Sequence, residues 1–163
     1  MIKQLVPEKV CLSCRGCCRF SEPASLWSPT LLSEEIQELV SRKVPPLLIS
    51  QDKKIRLLDG KGEGEYVCPF LETSENTCKI YAFRPLECQL YPFLLNRKDG
   101  SIYLALDPQC PYASEHLQSD TLKKYARYLS KTLTSSLCIW SIRRNPHILQ
   151  TYPGVLDLLK IEV

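Results

Sequence analysis

The stretch Cys11-Leu12-Ser13-Cys14-Arg15-Gly16-Cys17-Cys18-Arg19 decides how this chain is read. Two thiolates separated by two residues can curl around one metal while the intervening backbone N–H groups hydrogen-bond to sulfur. Chance seldom packs four cysteines so densely. Around them stand Ser, Arg, Gly and Pro with too little apolar periodicity for a helix, so residues 1–25 are expected to form an irregular cysteine knuckle. Adjacent side chains point apart in most backbone conformations, so Cys17 and Cys18 are not expected to chelate one ion simply as neighbours.

Further along the chain, Cys68, Cys78, Cys88 and Cys110 each fall where the backbone is expected to turn or a strand to end, so a fold can return them onto the opening quartet. The candidate metal ligands are therefore Cys11, Cys14, Cys17, Cys18, Cys68, Cys78, Cys88 and Cys110. The remaining cysteine, Cys138, lies between Leu137 and Ile139 in a helical pattern and is expected to pack in the core. Two zinc ions on eight thiolates would leave a charge of about −4, and one [4Fe-4S] cluster on four thiolates about −2; burial penalises the larger charge. Arg15, Arg19, Lys79 and Arg84 lie close to the cysteines in sequence and can offset it. The spacing of Cys11, Cys14 and Cys17 repeats the three-cysteine run of bacterial ferredoxins without its fourth Cys and Pro, which calls for a remote fourth ligand. An iron–sulfur cluster, [4Fe-4S] first, is the leading cofactor, with zinc the alternative.

The rest of the composition is ordinary. The chain has 163 residues with 21 basic and 18 acidic side chains, a net charge of +3, too slight for the molecule as a whole to act as a polycation toward nucleic acid. The start of the chain carries Lys3, Glu8 and Lys9 and no apolar stretch of signal-peptide length, and the uncharged run at 132–142 is far shorter than a membrane span. The expectation is a cytoplasmic protein, in a reducing compartment where clustered thiols serve metal or redox chemistry rather than structural disulfides.

Ser33 is expected to cap a helix with acidic residues in its first turn and Ile36, Leu39 and Val40 on one apolar face, ended by Pro45-Pro46. Residues 54–59 and 65–70 suggest a hairpin across Gly60-Lys61-Gly62-Glu63-Gly64 that delivers Cys68. Residues 93–95 and 102–106 suggest a second, turning at Asp99-Gly100 and leading to Cys110. Between them, 76–93 reads as a short helical turn and irregular backbone. From Ser119, Leu122, Tyr125, Ala126, Leu129, Leu133, Leu137 and Trp140 form one sustained helical face to about 143, followed by a short apolar tail at 155–161. The expected fold class is α+β: one small domain over 1–163, with irregular cysteine-rich metal-binding loops and two short β-hairpins over 11–111. A long C-terminal helix is expected to form a buttress over 112–163. Metal binding is expected to fix that fold, because few regular elements precede residue 119.

Taken together, Cys11-x2-Cys14-Arg15-Gly16-Cys17-Cys18-Arg19, Glu34-Glu35-Ile36, Cys68-Pro69-Phe70-Leu71, Cys78-Lys79-Ile80-Tyr81 with Arg84-Pro85 and Cys88, and Tyr91-Pro92-Phe93 resemble the CxxCxxCC cysteine-cluster family of YkgJ-like zinc- or iron-chelating domains. The resemblance covers roughly residues 11–111 and implies metal chelation; where members usually follow the later cysteine with a basic residue, this chain has Gln89. The flagellin lysine methylase shares such cysteines, so the resemblance also implies, as a third reading, methyl transfer linked to an iron–sulfur centre.

Other features are weaker. The glycines at 60, 62 and 64 are flanked by Asp59, Glu63 and Glu65, which would repel phosphate, so a hairpin tip is expected rather than a nucleotide loop. Tyr81, Arg84, Tyr91 and Phe93 suggest an aromatic and cationic wall beside the metal, with Arg84 and Tyr81 as candidate cofactor-binding residues. His116 and His147 stand outside any metal-ligand spacing, and no nucleophile or carboxylate pair stands out, which leaves open whether the chain is an enzyme. The helix at 119–144 carries Lys123, Lys124, Arg127, Lys131, Arg143 and Arg144; a solvated face is the default and an acidic protein partner the alternative. The runner-up function is accordingly a zinc-stapled interaction module.

Overall fold

The computed structural model describes residues 2–14 and 16–162. The chain is mixed α+β, as expected, and divides into two compact units, one of residues 7–89 and one of residues 2–6 with 90–163.

The first unit opens with α1 (Glu8–Cys14), where an irregular knuckle was expected. The N–H groups of Val10 and Cys11 turn back onto the Pro7 carbonyl, and no residue of the helix is buried, which is why apolar periodicity gave no sign of it. Next come β1 (Arg19–Phe20) and α2 (Ser33–Ser41). Leu32, not Ser33, occupies the N-cap of α2, and the Glu35 carboxylate does the capping by accepting the Leu32 N–H at 2.8 Å. Leu39 is buried and Ile36 packs against the core, but Val40, expected on the same face, is exposed.

The expected hairpin over 54–70 forms with a shorter ladder. β3 (Tyr66–Val67) lies between β1 and β2 (Leu58–Asp59), antiparallel to both. Its turn is closed by the Gly60 N–H donating to the Glu65 carbonyl at 2.7 Å, and Gly64 takes a φ of 70°. A side chain at Gly60 would fall 2.7 to 2.9 Å from Glu65, so this tip is built for glycine. The unit also contains a hairpin the sequence did not announce, β4 (Leu71–Glu72) with β5 (Thr77–Cys78), turned through Asn76 at a φ of 55°. A 3-10 turn at Tyr81–Phe83 and α3 (Leu86–Leu90) carry the chain past Cys88. Leu31, Leu39, Ile55, Phe70, Leu71 and Ile80 form its core, with Cys68 among them.

The second unit is built on β6 (Phe93–Lys98), β7 (Ser101–Leu106) and β8 (Leu156–Ile161), in that order and antiparallel. Asp99 and Gly100, at φ of 49° and 73°, make the two-residue turn their sequence demands. The third strand was expected only as an apolar tail. Buried Asn96 holds the segment leading into it: its amide donates to Asp157 at 2.8 Å and its carbonyl accepts the Tyr152 N–H at 2.9 Å. α4 (Pro111–Glu115) precedes α5 (Asp120–Leu133) and α6 (Ser136–Arg144).

The single long helix expected from 119 to 143 is thus two helices. Thr134 and Ser135 turn their hydroxyls onto the carbonyls of Ser130 and Thr132, at 2.9 and 2.7 Å, and this local bonding ends α5. Ser119 caps α5, accepting from the Leu122 N–H. Leu122, Ala126, Leu129 and Leu133 are buried, but past the break the apolar face no longer points inward: Leu137 is 78% exposed and Trp140 53%. Cys138, expected in the core, is only half-buried. Among the described residues no helix is long and apolar enough to cross a membrane.

Candidate metal centre

Each later cysteine of the β4–β5 region is set in a backbone turn whose N–H groups face its sulfur. The chain after Cys68 folds back, the Leu71 N–H donating to the Cys68 carbonyl at 3.0 Å, so that the N–H groups of Phe70 and Leu71 favour the charged form of the Cys68 thiol, as the Ile80 N–H does for Cys78. Such donors favour thiolate and are the backbone's contribution to a metal knuckle. The hairpin β4–β5 joins the two knuckles, with Leu71 opposite Cys78. Strand pairing brings the opening cysteines beside them: the Cys68 N–H donates to the Cys18 carbonyl at 3.0 Å, next to the pairing of β1 with β3.

Cys17, Cys68, Cys78 and Cys88 gather in one neighbourhood. Every pair among these four lies within electrostatic reach. Burial pushes the Cys68 thiol up to about 12 and raises Cys78 and Cys88 above the ordinary thiol value. Cys17 is raised first by a hydrogen bond with the Cys18 side chain and then by burial. Cys17 and Cys18, expected to point apart, therefore bring their thiols together. As thiols the four are protonated at neutral pH, so a metal that binds them must displace their protons.

The cation among these sulfurs is Arg84. Its Nε and Nη2 are buried and find no hydrogen-bond acceptor among the described residues, while its guanidinium stacks 4.1 Å from the centre of the Tyr81 ring. Its charge draws down the Cys17 and Cys78 thiols against the burial that raises them. Orphaned donors on a buried cation are costly until an anion meets them. A thiolate-bound metal carries the negative charge that they lack, so the residues fit such a group. The other cations expected in this role are placed elsewhere: Arg19 pairs with Glu65 at 3.6 Å and donates to Asn76 at 2.7 Å, and Lys79 pairs with Glu72 at 3.4 Å. Arg15 lies outside the described residues.

The remaining candidates are distributed. Cys11 and Cys14 sit on α1, the first exposed and the second half-buried. Cys110 is buried in the second unit, at the N-cap of α4. In that unit Phe93 packs on Tyr125 with ring centres 5.4 Å apart and Tyr91 donates to Asp107 at 3.1 Å. All nine cysteines are thiols, and among the described residues no three His, Cys, Asp or Glu side chains already stand at the spacing of a single bound ion.

Sequence reading missed Asn76 and Glu35. Asn76 donates to the carbonyls of Leu12 at 2.6 Å and Cys11 at 3.5 Å, tying α1 to the β4–β5 turn; its sign was an Asn between two short strands, where the left-handed conformation is tolerated. Glu35 also accepts the Leu86 N–H at 2.6 Å, linking α2 to the start of α3 and hence to Cys88; no local pattern announces that link.

Residues 10–111 match the model of the CxxCxxCC family, described as "Putative zinc- or iron-chelating domain". An uncharacterized protein of Methanocaldococcus jannaschii, MJ0661, is 28% identical over 101 residues, which cover 60% of this chain and 51% of that protein. The chain thus matches about half the length of this relative. No solved structure matches it.

Proposed function

The chain belongs to the CxxCxxCC family of zinc- or iron-chelating domains, and from that premise we propose that Cys17, Cys68, Cys78 and Cys88 hold one thiolate-ligated centre, an iron–sulfur cluster. The observation that carries the reading is the mutual reach of these four thiols, with the Arg84 guanidinium, two of whose buried nitrogens find no acceptor among the described residues, acting on Cys17 and Cys78. Four thiolates complete one centre rather than two.

Four cysteine thiolates are the donor set of a [4Fe-4S] cluster and of a tetrahedral zinc ion alike, and metal and sulfide analysis separates the two. The chain's own residues supply the surroundings. The Phe70, Leu71 and Ile80 N–H groups orient the sulfurs, Arg84 offsets their charge, and the core around Cys68 excludes water. When bound, a cluster of this kind supplies one-electron redox chemistry.

The test is anaerobic purification with metal and sulfide analysis. The expected result is a brown protein with iron and acid-labile sulfide, whose broad visible absorbance bleaches on reduction. Colourless protein with stoichiometric zinc overturns the iron–sulfur assignment. Cys→Ser variants at 17, 68, 78 and 88 are expected to lose the metal, and Cys138→Ser to retain it.

A further inference from the structure

Leu137, Trp140 and Arg144 form a stripe on α6 that neither the core nor the proposed metal centre uses, and we infer that this stripe docks an acidic protein partner. Buried Ile142 sets the facing of the helix, and the three residues, at i, i+3 and i+7, lie on the opposite side. The stripe faces outward because α5 ends at Thr134; Ser135 is extended at the N-cap of α6, which restarts the helix in a new phase. A lone exposed leucine is ordinary. Apolar anchors one turn apart, with an arginine in line, are the spacing by which a helix fills a partner's groove, and Trp and Arg are the residue types that carry most binding energy. The Arg144 guanidinium lies 4.5 Å from the Trp140 ring centre, so each side chain is already held by the other and less freedom is lost when a partner closes over them.

Charge says what covers the stripe. From Thr121 to Leu156 the sequence has no Asp or Glu. Lys123, Lys124, Arg127, Lys131, Arg143 and Arg144 are all exposed there, and none pairs with a carboxylate among the described residues. A groove with an apolar floor and a rim of Asp and Glu therefore meets the anchors with its floor and the cations with their opposites. A second copy of this chain, packed α6 against α6, would set Arg143 and Arg144 against like charges. Two apolar side chains in line with an arginine make a shallow anchor for a bilayer, which takes a broad apolar helix face. Leu137, the most exposed of the three, gains nothing from a nucleic-acid backbone.

The experiment uses the full chain, produced in the cells it comes from with photoreactive benzoylphenylalanine in place of Leu137 or, as a control, of exposed Thr151 in the same unit. After irradiation the adducts are identified, and the protein joined at 137 is purified and titrated against the unmodified chain. The expected result is a protein adduct at 137 that is absent at 151, with a contact segment rich in Asp and Glu. Binding should weaken about tenfold or more in Trp140→Ser and in Arg144→Glu. It should weaken as well when salt rises from about 50 to about 500 mM. Both side chains are exposed, so circular dichroism of these variants should match the parent, and their metal content should not change because α6 holds none of the proposed ligands. No adduct specific to 137, a contact segment without acidic residues, an adduct to a second copy of this chain, or binding indifferent to Trp140→Ser overturns the inference. So does co-flotation with phosphatidylglycerol vesicles, or retention of RNA, that Trp140→Ser abolishes.

Discussion

Arg84 concentrates the energetics of the first unit in one side chain. A guanidinium with two buried nitrogens that find no acceptor among the described residues destabilises the metal-free fold, and the same donors favour any anionic centre built beside them. Arg84→Met should therefore lower metal content per chain and raise the metal-free protein's stability, measured by metal analysis and by denaturation of both forms. Arg84→Lys should fall between, because an ammonium restores charge without the planar fork that stacks on Tyr81. Glu35 gives a pH signature of its own. Burial raises its carboxyl from the ordinary range to about 7, against the pull of the Leu32 and Leu86 N–H groups. A carboxyl raised in the folded state favours folding while it is protonated, so its contribution is complete below the unfolded value near 4.5 and is lost as pH rises through about 7. Thermal scans should show stability falling between those limits by about 3 kcal/mol, and Glu35→Gln should flatten that slope.

At the scale of elements, hydroxyl chemistry overrides apolar periodicity in the C-terminal helices. The face that begins with Leu122 is continuous in the sequence to Trp140, yet the Thr134 and Ser135 hydroxyls compete for helix carbonyls and end α5. The consequence is measurable as a contrast between two leucines on what would have been one stripe. Leu129→Ala removes a fully buried side chain and should cost about 2–5 kcal/mol in denaturant unfolding. Leu137→Ala removes a largely exposed one and should stay within about 0.5 kcal/mol of the parent. A continuous helix would make the two costs alike. The Asp99-Gly100 hairpin and the start of a helix at Ser119 were legible because each rests on a few neighbouring residues. α1 and β8 were not, since α1 buries nothing and β8 is defined by its pairing to β7. The β4–β5 hairpin likewise depends on Asn76 adopting a conformation that its neighbours only permit.

For the molecule as a whole, the two units differ in what holds them. The strands of residues 7–89 are two residues each and their core is small, so thiolate ligation should supply much of that unit's folding free energy. The unit of residues 90–163 has three six-residue strands and buried leucines along α5. Removing the metal with a chelator should speed amide hydrogen exchange in β1, β3, β4 and β5 and leave β6 and β7 protected; equal loss in both would contradict this division. The α+β class, the thiol-rich chemistry and the family could all be read from the order of residues alone, because spacing, turn residues and residue type are local properties that survive without knowledge of contacts. Which thiols gather, and that Arg84 is the cation beside them, came from the folded chain. Convergence of residues 17, 68, 78 and 88 depends on strand pairing and burial, and those are sums over partners far away along the chain.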